Sequence, residues 1–147
     1  PALAARYRVL GHAHPRIGAL IAPLYRKLGI EVVDDFTDVC RRADLYICDN
    51  SSTIFEFAST GRPVVVLNAP WYRRRVDHGL RFWEAATVGV QCDEPDGLLD
   101  AVEAALADPP EQQAAREAAL DIVYAFRRGA AQRAAAVLVD WAGEVAA

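Results

Sequence analysis

No stretch of this chain approaches the roughly 18 consecutive apolar residues that a membrane-crossing helix requires. No charged start followed by an apolar run resembles a secretory signal either, so neither a span nor a leader is expected. Basic charge is not in excess: 16 Lys and Arg stand against 20 Asp and Glu, for a net charge of -4, and no nucleic acid partner is expected. Only three cysteines occur, Cys40, Cys48 and Cys92, an odd number without Cys-x-x-Cys spacing, two of them in apolar patterns that read as core. A disulfide framework is thereby disfavoured, and a reduced, cytoplasmic compartment is expected. Methionine is absent and the chain starts at Pro1, so we expect a piece of a longer protein.

What is present is apolar residues in abundance, 53% of 147, enough for one full core and too few residues for two. A single domain over residues 1–147 is expected. Tyr7 to Gly11 is a β-type run, and Ile17, Leu20, Ile21, Leu24 and Leu28 then recur at helical spacing up to Gly29. The alternation repeats: a strand at Ile30 to Val33, a helix from Thr37 to Arg42, a strand at Leu45 to Cys48, a helix from Ser52 to Thr60. Pro63 to Leu67 is apolar and β-branched, as in strands covered on both faces, and Val88 to Cys92 is a weaker fifth run. Beyond Pro95 the texture is helical, with Leu98, Leu99, Val102, Ala105 and Leu106, a Pro109-Pro110 break, then Ala-rich helices over Glu111 to Tyr124 and Ala130 to Val145, the last expected to be packed. Five short strands alternating with helices predict an α/β fold, a Rossmann-like doubly wound parallel sheet with C-terminal helices.

In such sheets ligands bind beyond the carboxyl ends of the strands. The strand ending at Cys48 delivers Asp49, Asn50, Ser51, Ser52 and Thr53 to the start of a helix, several hydroxyls beside an acid and an amide, a set suited to a phosphate. The plainer alternative is a helix cap, with Glu56 completing a capping box from Thr53. His12 and His14 follow the first strand. As a His-x-His pair they could hold a metal, but His78 is the one other histidine and no metal is expected. His14 before Pro15 fits better as a group on a rigid turn that donates to a phosphate or acts as acid or base. Asp34-Asp35 has the look of a phosphoacceptor pocket, but its spacing to Asp49 is too short and no lysine follows the fifth strand, so a helix cap is expected there. Arg73-Arg74-Arg75 is a basic loop at the expected ligand edge, equally readable as a solvated charge run. Arg127-Arg128-Gly129, with Arg133 one helical turn on, is a second such place.

Taken together, His14-Pro15, the run from Ala43 to Ser52 leading into Phe55-Glu56-Phe57-Ala58, Gly61-Arg62-Pro63 and the late Gly129 and Arg133 resemble the C-terminal half of the CDP-glycerol glycerophosphotransferase family. The resemblance implies the C-terminal domain of a two-domain GT-B glycosyltransferase, acting in teichoic-acid and related cell-envelope polymer synthesis. It implies that the chain binds a CDP- or UDP-linked donor, with a separate N-terminal acceptor domain as its partner, and that the full protein sits in the cytoplasm, in part peripheral to the membrane. His14 would contact the donor phosphates or assist transfer. Ser51 and Ser52 would hold the pyrophosphate, Asp49 would order the loop, and Gly129 with Arg133 would add donor contacts. No metal or other cofactor is implied, the nucleotide donor being a substrate. The chain departs from the family pattern at Asn50, Glu56 and Arg128-Gly129 with Gln132, and UDP-sugar 2-epimerases and other GT-B proteins share the fold. A non-enzymatic interaction domain of the same fold is the remaining alternative.

Overall fold

A computed structural model describes residues 2–49, 51–68 and 88–145. A short helix α1 (Ala2–Arg6) precedes β1 (Leu10–Gly11), α2 (Pro15–Lys27), β2 (Glu31–Val32), α3 (Phe36–Arg42), β3 (Tyr46–Cys48), α4 (Thr53–Ala58), β4 (Val64–Leu67) and β5 (Val90–Cys92). A 3-10 turn (Pro95–Gly97) then leads into α5 (Leu98–Leu106), α6 (Pro110–Val123) and α7 (Ala130–Val145). Among the described residues the five strands all fall inside the runs that the sequence marks, and helix follows each of β1, β2 and β3 as expected. The helix α1, at the Ala-rich start, is an addition.

Strand pairing is parallel throughout, and the registers follow from the β-branched runs. Tyr46, Ile47 and Cys48 lie opposite Val64, Val65 and Val66, while Val65, Val66 and Leu67 lie opposite Val90, Gln91 and Cys92. β4 is therefore central and buried on both faces, which is why its sequence is an unbroken apolar run rather than an alternation. Val64 and Val66 face a layer built from Phe55, Phe57 and Ala58 of α4 and Ala119 and Leu120 of α6. Val65 faces the opposite layer, with Ala101, Val102 and Ala105 of α5 and the partly buried Leu3 and Tyr7. Two helical layers enclose the sheet.

The expected continuous five-stranded sheet is not what the hydrogen bonds describe. β1 and β2 pair with each other, Leu10 opposite Glu31 and Gly11 opposite Val32, and β3, β4 and β5 form a separate three-stranded sheet. β1 and β3 both line an intervening cavity, and with only two residues β1 offers few ladder groups to bridge it. Side chains reinforce the β1–β2 pair: Arg8 and Arg42 both reach Glu31, at 2.6 and 2.5 Å.

Two helices depart from expectation in how they pack. In α2, the apolar stripe is only partly used, since Ile17, Leu20, Leu24 and Leu28 remain exposed. α7 has no buried residue, and Val137, Leu138, Trp141 and Val145 are exposed, so the last helix is amphipathic but uncovered rather than packed. Its periodicity marks a face, and no described element lies against that face.

Asp35 caps α3, its Oδ1 accepting the Thr37 N–H at 2.8 Å, which settles the acid pair as a cap. That bond holds the Asp35 carboxyl below its ordinary range, and the hydrogen bonds from Arg42 and then Arg8 do the same for Glu31. Folded carboxylates with depressed pKa contribute stability that is present above their unfolded values and lost as pH falls through the folded ones. Thermal midpoints between pH 3 and 7 should therefore fall on the acid side, below about pH 4.5, and Glu31→Gln should flatten that limb. An acid limb of unchanged slope in Glu31→Gln would separate the bracket from acid stability.

Candidate functional site

The cavity between β1 and β3 has a volume of about 960 Å³. Its wall on the β1 side is made by Leu10, Gly11, His12, Ala13, His14 and Pro15, and its wall on the β3 side by Tyr46, Ile47, Cys48, Asp49, Ser51 and Thr53. The cavity runs along both strands, and the residues that follow them, His12 to Pro15 after β1 and Asp49, Ser51 and Thr53 after β3, bring the first and third strand ends, 35 positions apart from His14 to Asp49, to one cleft. Such a place is where α/β proteins take their ligands.

His14 is fixed from below. It is the N-cap of α2, and its Nδ1 accepts the Arg16 N–H at 3.2 Å while Pro15 starts the helix at its first position. With Nδ1 acting as acceptor, a neutral His14 carries its proton on Nε2, and the ring presents an N–H donor. His12 packs its ring against Phe36, tilted at 55° with 5.3 Å between centroids, which leaves the two histidines with different neighbours. Among the described residues no group of three or more His, Cys, Asp or Glu is arranged to hold a metal ion.

On the other wall the hydroxyls form a chain. Tyr46 Oη lies 3.0 Å from Thr53 Oγ1, and Thr53 Oγ1 donates to Ser51 Oγ at 3.0 Å. Burial pushes the Tyr46 phenol up to about 12, so it stays protonated at neutral pH. The capping box, the plainer alternative for these residues, does not form. Thr53 is the first residue of α4, not its cap, Ser52 is the cap residue without a side-chain cap bond, and the Thr53 hydroxyl is already engaged by Tyr46 and Ser51. The Ser51 Oγ approaches the Thr53 N–H only at 3.5 Å, the outer limit of a hydrogen bond. Asp49 is exposed at the rim, and its carbonyl accepts the Ser51 N–H at 2.8 Å.

His12, His14, Asp49, Ser51 and Thr53 thus share one cleft. Ser52 and Glu56 are exposed and, with Gly129 and Arg133, are not part of its described lining. Arg133 lies over the Phe126 ring at 4.6 Å and its N–H donates to the Gly129 carbonyl, so this pair fastens the turn into α7. Arg127 is bound by Glu117 and Asp121, which occupies the guanidinium expected to be open to an anion. Asn50, Arg73 and Arg74, with Arg75 and His78, lie outside the described residues.

Two residues went unassigned in the sequence. Tyr46, the one aromatic in its strand, packs against Phe36 at 5.4 Å and Phe57 at 5.2 Å and turns its hydroxyl to Thr53. Arg62, in the Gly-Arg-Pro run, donates to the carbonyls of Cys40 and Ala43 at the end of α3 and lies over Phe57 at 5.1 Å. The Gly61-Arg62-Pro63 motif is therefore a brace behind the cleft: Gly61 turns the chain after α4 at φ 81°, and its carbonyl accepts from the buried Arg116 at 2.8 Å. The sequence model of one protein family, described as CDP-Glycerol:Poly(glycerophosphate) glycerophosphotransferase, matches residues 1–139. No curated protein sequence matches the chain.

Proposed function

The chain belongs to the CDP-glycerol:poly(glycerophosphate) glycerophosphotransferase family, and on that premise we propose that the cleft between β1 and β3 binds the pyrophosphate of a nucleotide-linked donor, CDP-glycerol in the first instance. The supporting observation is the convergence of an oriented imidazole, His14, with the Ser51 hydroxyl chain at two strand ends of one cleft. Both present donors, which is what an anion requires. The domain would be the donor half of a GT-B arrangement, its five strands forming a doubly wound sheet whose two parts meet at the cleft. A separate N-terminal domain would bring the polymer acceptor.

In the reaction so assigned, an acceptor hydroxyl attacks the phosphorus that carries glycerol. The bond from that phosphorus to the bridging oxygen breaks, CMP leaves with the bonding electrons, and the acceptor proton passes to a base. Negative charge grows on the bridging oxygen and on the phosphate of the departing CMP. His14 Nε2–H and the Ser51 hydroxyl would stabilise it there, donors fixed before the charge develops. Asp49 would order the loop that carries Ser51. No metal or other cofactor is assigned a role, and any peripheral membrane contact or cytoplasmic placement would belong to the whole protein.

Calorimetric titration with CDP-glycerol, CDP and UDP tests this reading. Binding of CDP-glycerol at millimolar or lower concentration is expected, and silence toward all three would defeat the proposal. The cleft also separates the two serines. Ser51→Ala should weaken CDP-glycerol by about 1–3 kcal/mol, or roughly 5- to 150-fold, because a charged acceptor loses a donor. Ser52→Ala, on an exposed side chain off the lining, should leave affinity nearly unchanged. Equal losses in the two variants would move the phosphate out of the cleft and onto the outer face of the loop.

A further inference from the structure

We infer that Tyr46 is a positioning residue for this site: by donating its phenolic proton to Thr53, it sets the direction of a hydroxyl relay that leaves the Ser51 proton free to bind a ligand phosphate. The inference rests on the phosphate reading of the cleft.

Hydrogen-bond geometry and acidity set the direction. Thr53 Oγ1 has one proton, and it is given to Ser51 Oγ at 3.0 Å, so the 3.0 Å contact between Thr53 and Tyr46 needs the phenol as donor. Ser51 Oγ then accepts, and its own proton has no acceptor among the described residues. The reverse order, Ser51 to Thr53 to Tyr46, would leave the phenol proton without an acceptor among the described residues in a half-buried place. Either order leaves one proton without such an acceptor, on Tyr46 or on Ser51, both half-buried, so the Thr53-to-Ser51 geometry and the acidity of the groups set the direction. A phenol is also the more acidic hydroxyl of the three, which favours it at the donating end. Its raised pKa keeps the donor protonated across the neutral range.

The ring is held so that this direction persists. Phe36 meets it edge-on at 5.4 Å and 65°, and Phe57 lies tilted at 30° and 5.2 Å. Tyr46, Thr53 and Ser51 all line the same cavity, so the relay begins in packed aromatics and ends at the ligand space. Each bond polarises the next, and a hydroxyl that already accepts is a better donor.

Titration with CDP separates the relay from general packing. Tyr46→Phe keeps the ring and removes the proton, and should weaken CDP about five-fold; Thr53→Val should do the same, while Thr53→Ser should restore wild-type affinity. In a Ser51→Ala background, Tyr46→Phe should cause no further loss, because the relay has no outlet. Wild-type CDP affinity in Tyr46→Phe overturns the relay and leaves the donor site standing. A five-fold loss that persists in the Ser51→Ala background also overturns it, since Tyr46 would then act only through packing. Failure of the unaltered chain to bind CDP overturns both readings, and the Thr53 pair decides if Tyr46→Phe unfolds.

Discussion

Gly89→Ala is expected to lower the stability of this domain by about 3 kcal/mol or more, by combining a left-handed backbone with a collision. Gly89 has φ 78°, and a methyl group built there would sit 2.1 Å from the Val64 carbonyl oxygen and 2.7 Å from its carbon. Those atoms are backbone of the central strand, so no rotamer change relieves the overlap. β5 cannot retreat cheaply either: Val65 is paired with Val90 and Leu67 with Cys92, and Asn68 N–H donates to the Cys92 carbonyl at 2.8 Å. The buried Val88 pins the chain one residue earlier. A loss of this size corresponds to a midpoint lower by roughly 6–12 °C for a domain of this length. Gly143→Ala is the control, since nothing lies within 4 Å of its added methyl and its backbone is helical, and it should not lower the midpoint. Equal midpoints for Gly89→Ala and wild type would mean that β4 and β5 do not approach each other as described.

The same central strand shows why so much of the fold was legible. Val64, Val65 and Val66 face alternate layers and are all nearly inaccessible, so burial on both faces leaves an unbroken apolar run that reads directly as an interior parallel strand. The first strand is the opposite case. Tyr7 to Gly11 looks like five β-type residues, but only Leu10 and Gly11 pair, because Tyr7 is drawn against α5 and the neighbouring edge opens onto the cleft. Periodicity identifies an apolar face and is silent on what covers it, which is how α7 can carry the pattern of a packed helix with no buried residue. At the site, residue types and strand ends were enough to bring His14, Asp49 and Ser51 together. Tyr46 could not be found that way, since an aromatic inside a strand reads as core until its hydroxyl is seen to reach Thr53. Arg62 and Arg116 were hidden for a related reason: both serve backbone carbonyls contributed by segments distant in the chain, and carbonyls leave no mark on a sequence.

The Arg116 site carries the second large effect. Arg116 is buried, with 4% of its side chain exposed, and its guanidinium makes a two-pronged pair with Asp108 at 3.0 and 3.1 Å while donating to the Gly61 carbonyl at 2.8 Å. Asp108 stands at the bend between α5 and α6 with φ 41°, a conformation that Asp and Asn tolerate better than most residues. Its carbonyl also accepts from Gln113 at 2.7 Å. The cluster thus fastens the α5–α6 bend to the turn after α4, behind the wall that carries Thr53. Asp108→Ala should cost roughly 3–5 kcal/mol, because it strands a permanently charged guanidinium in the interior and puts alanine at a left-handed position. Asp108→Asn should cost less, keeping the backbone preference and one acceptor. Arg116→Met should cost about 1–3 kcal/mol, chiefly through the unpaired Gly61 carbonyl, since Asp108, at 25% side-chain exposure, can be hydrated. The sign that distinguishes a buried ion pair from ordinary packing lies in the double variant. Asp108→Ala with Arg116→Met removes both charges, and chemical denaturation should find it more stable than Asp108→Ala alone. Simple addition of the two single losses would mean that the guanidinium reaches solvent when its partner is gone, and that the bend is held by its apolar neighbours instead.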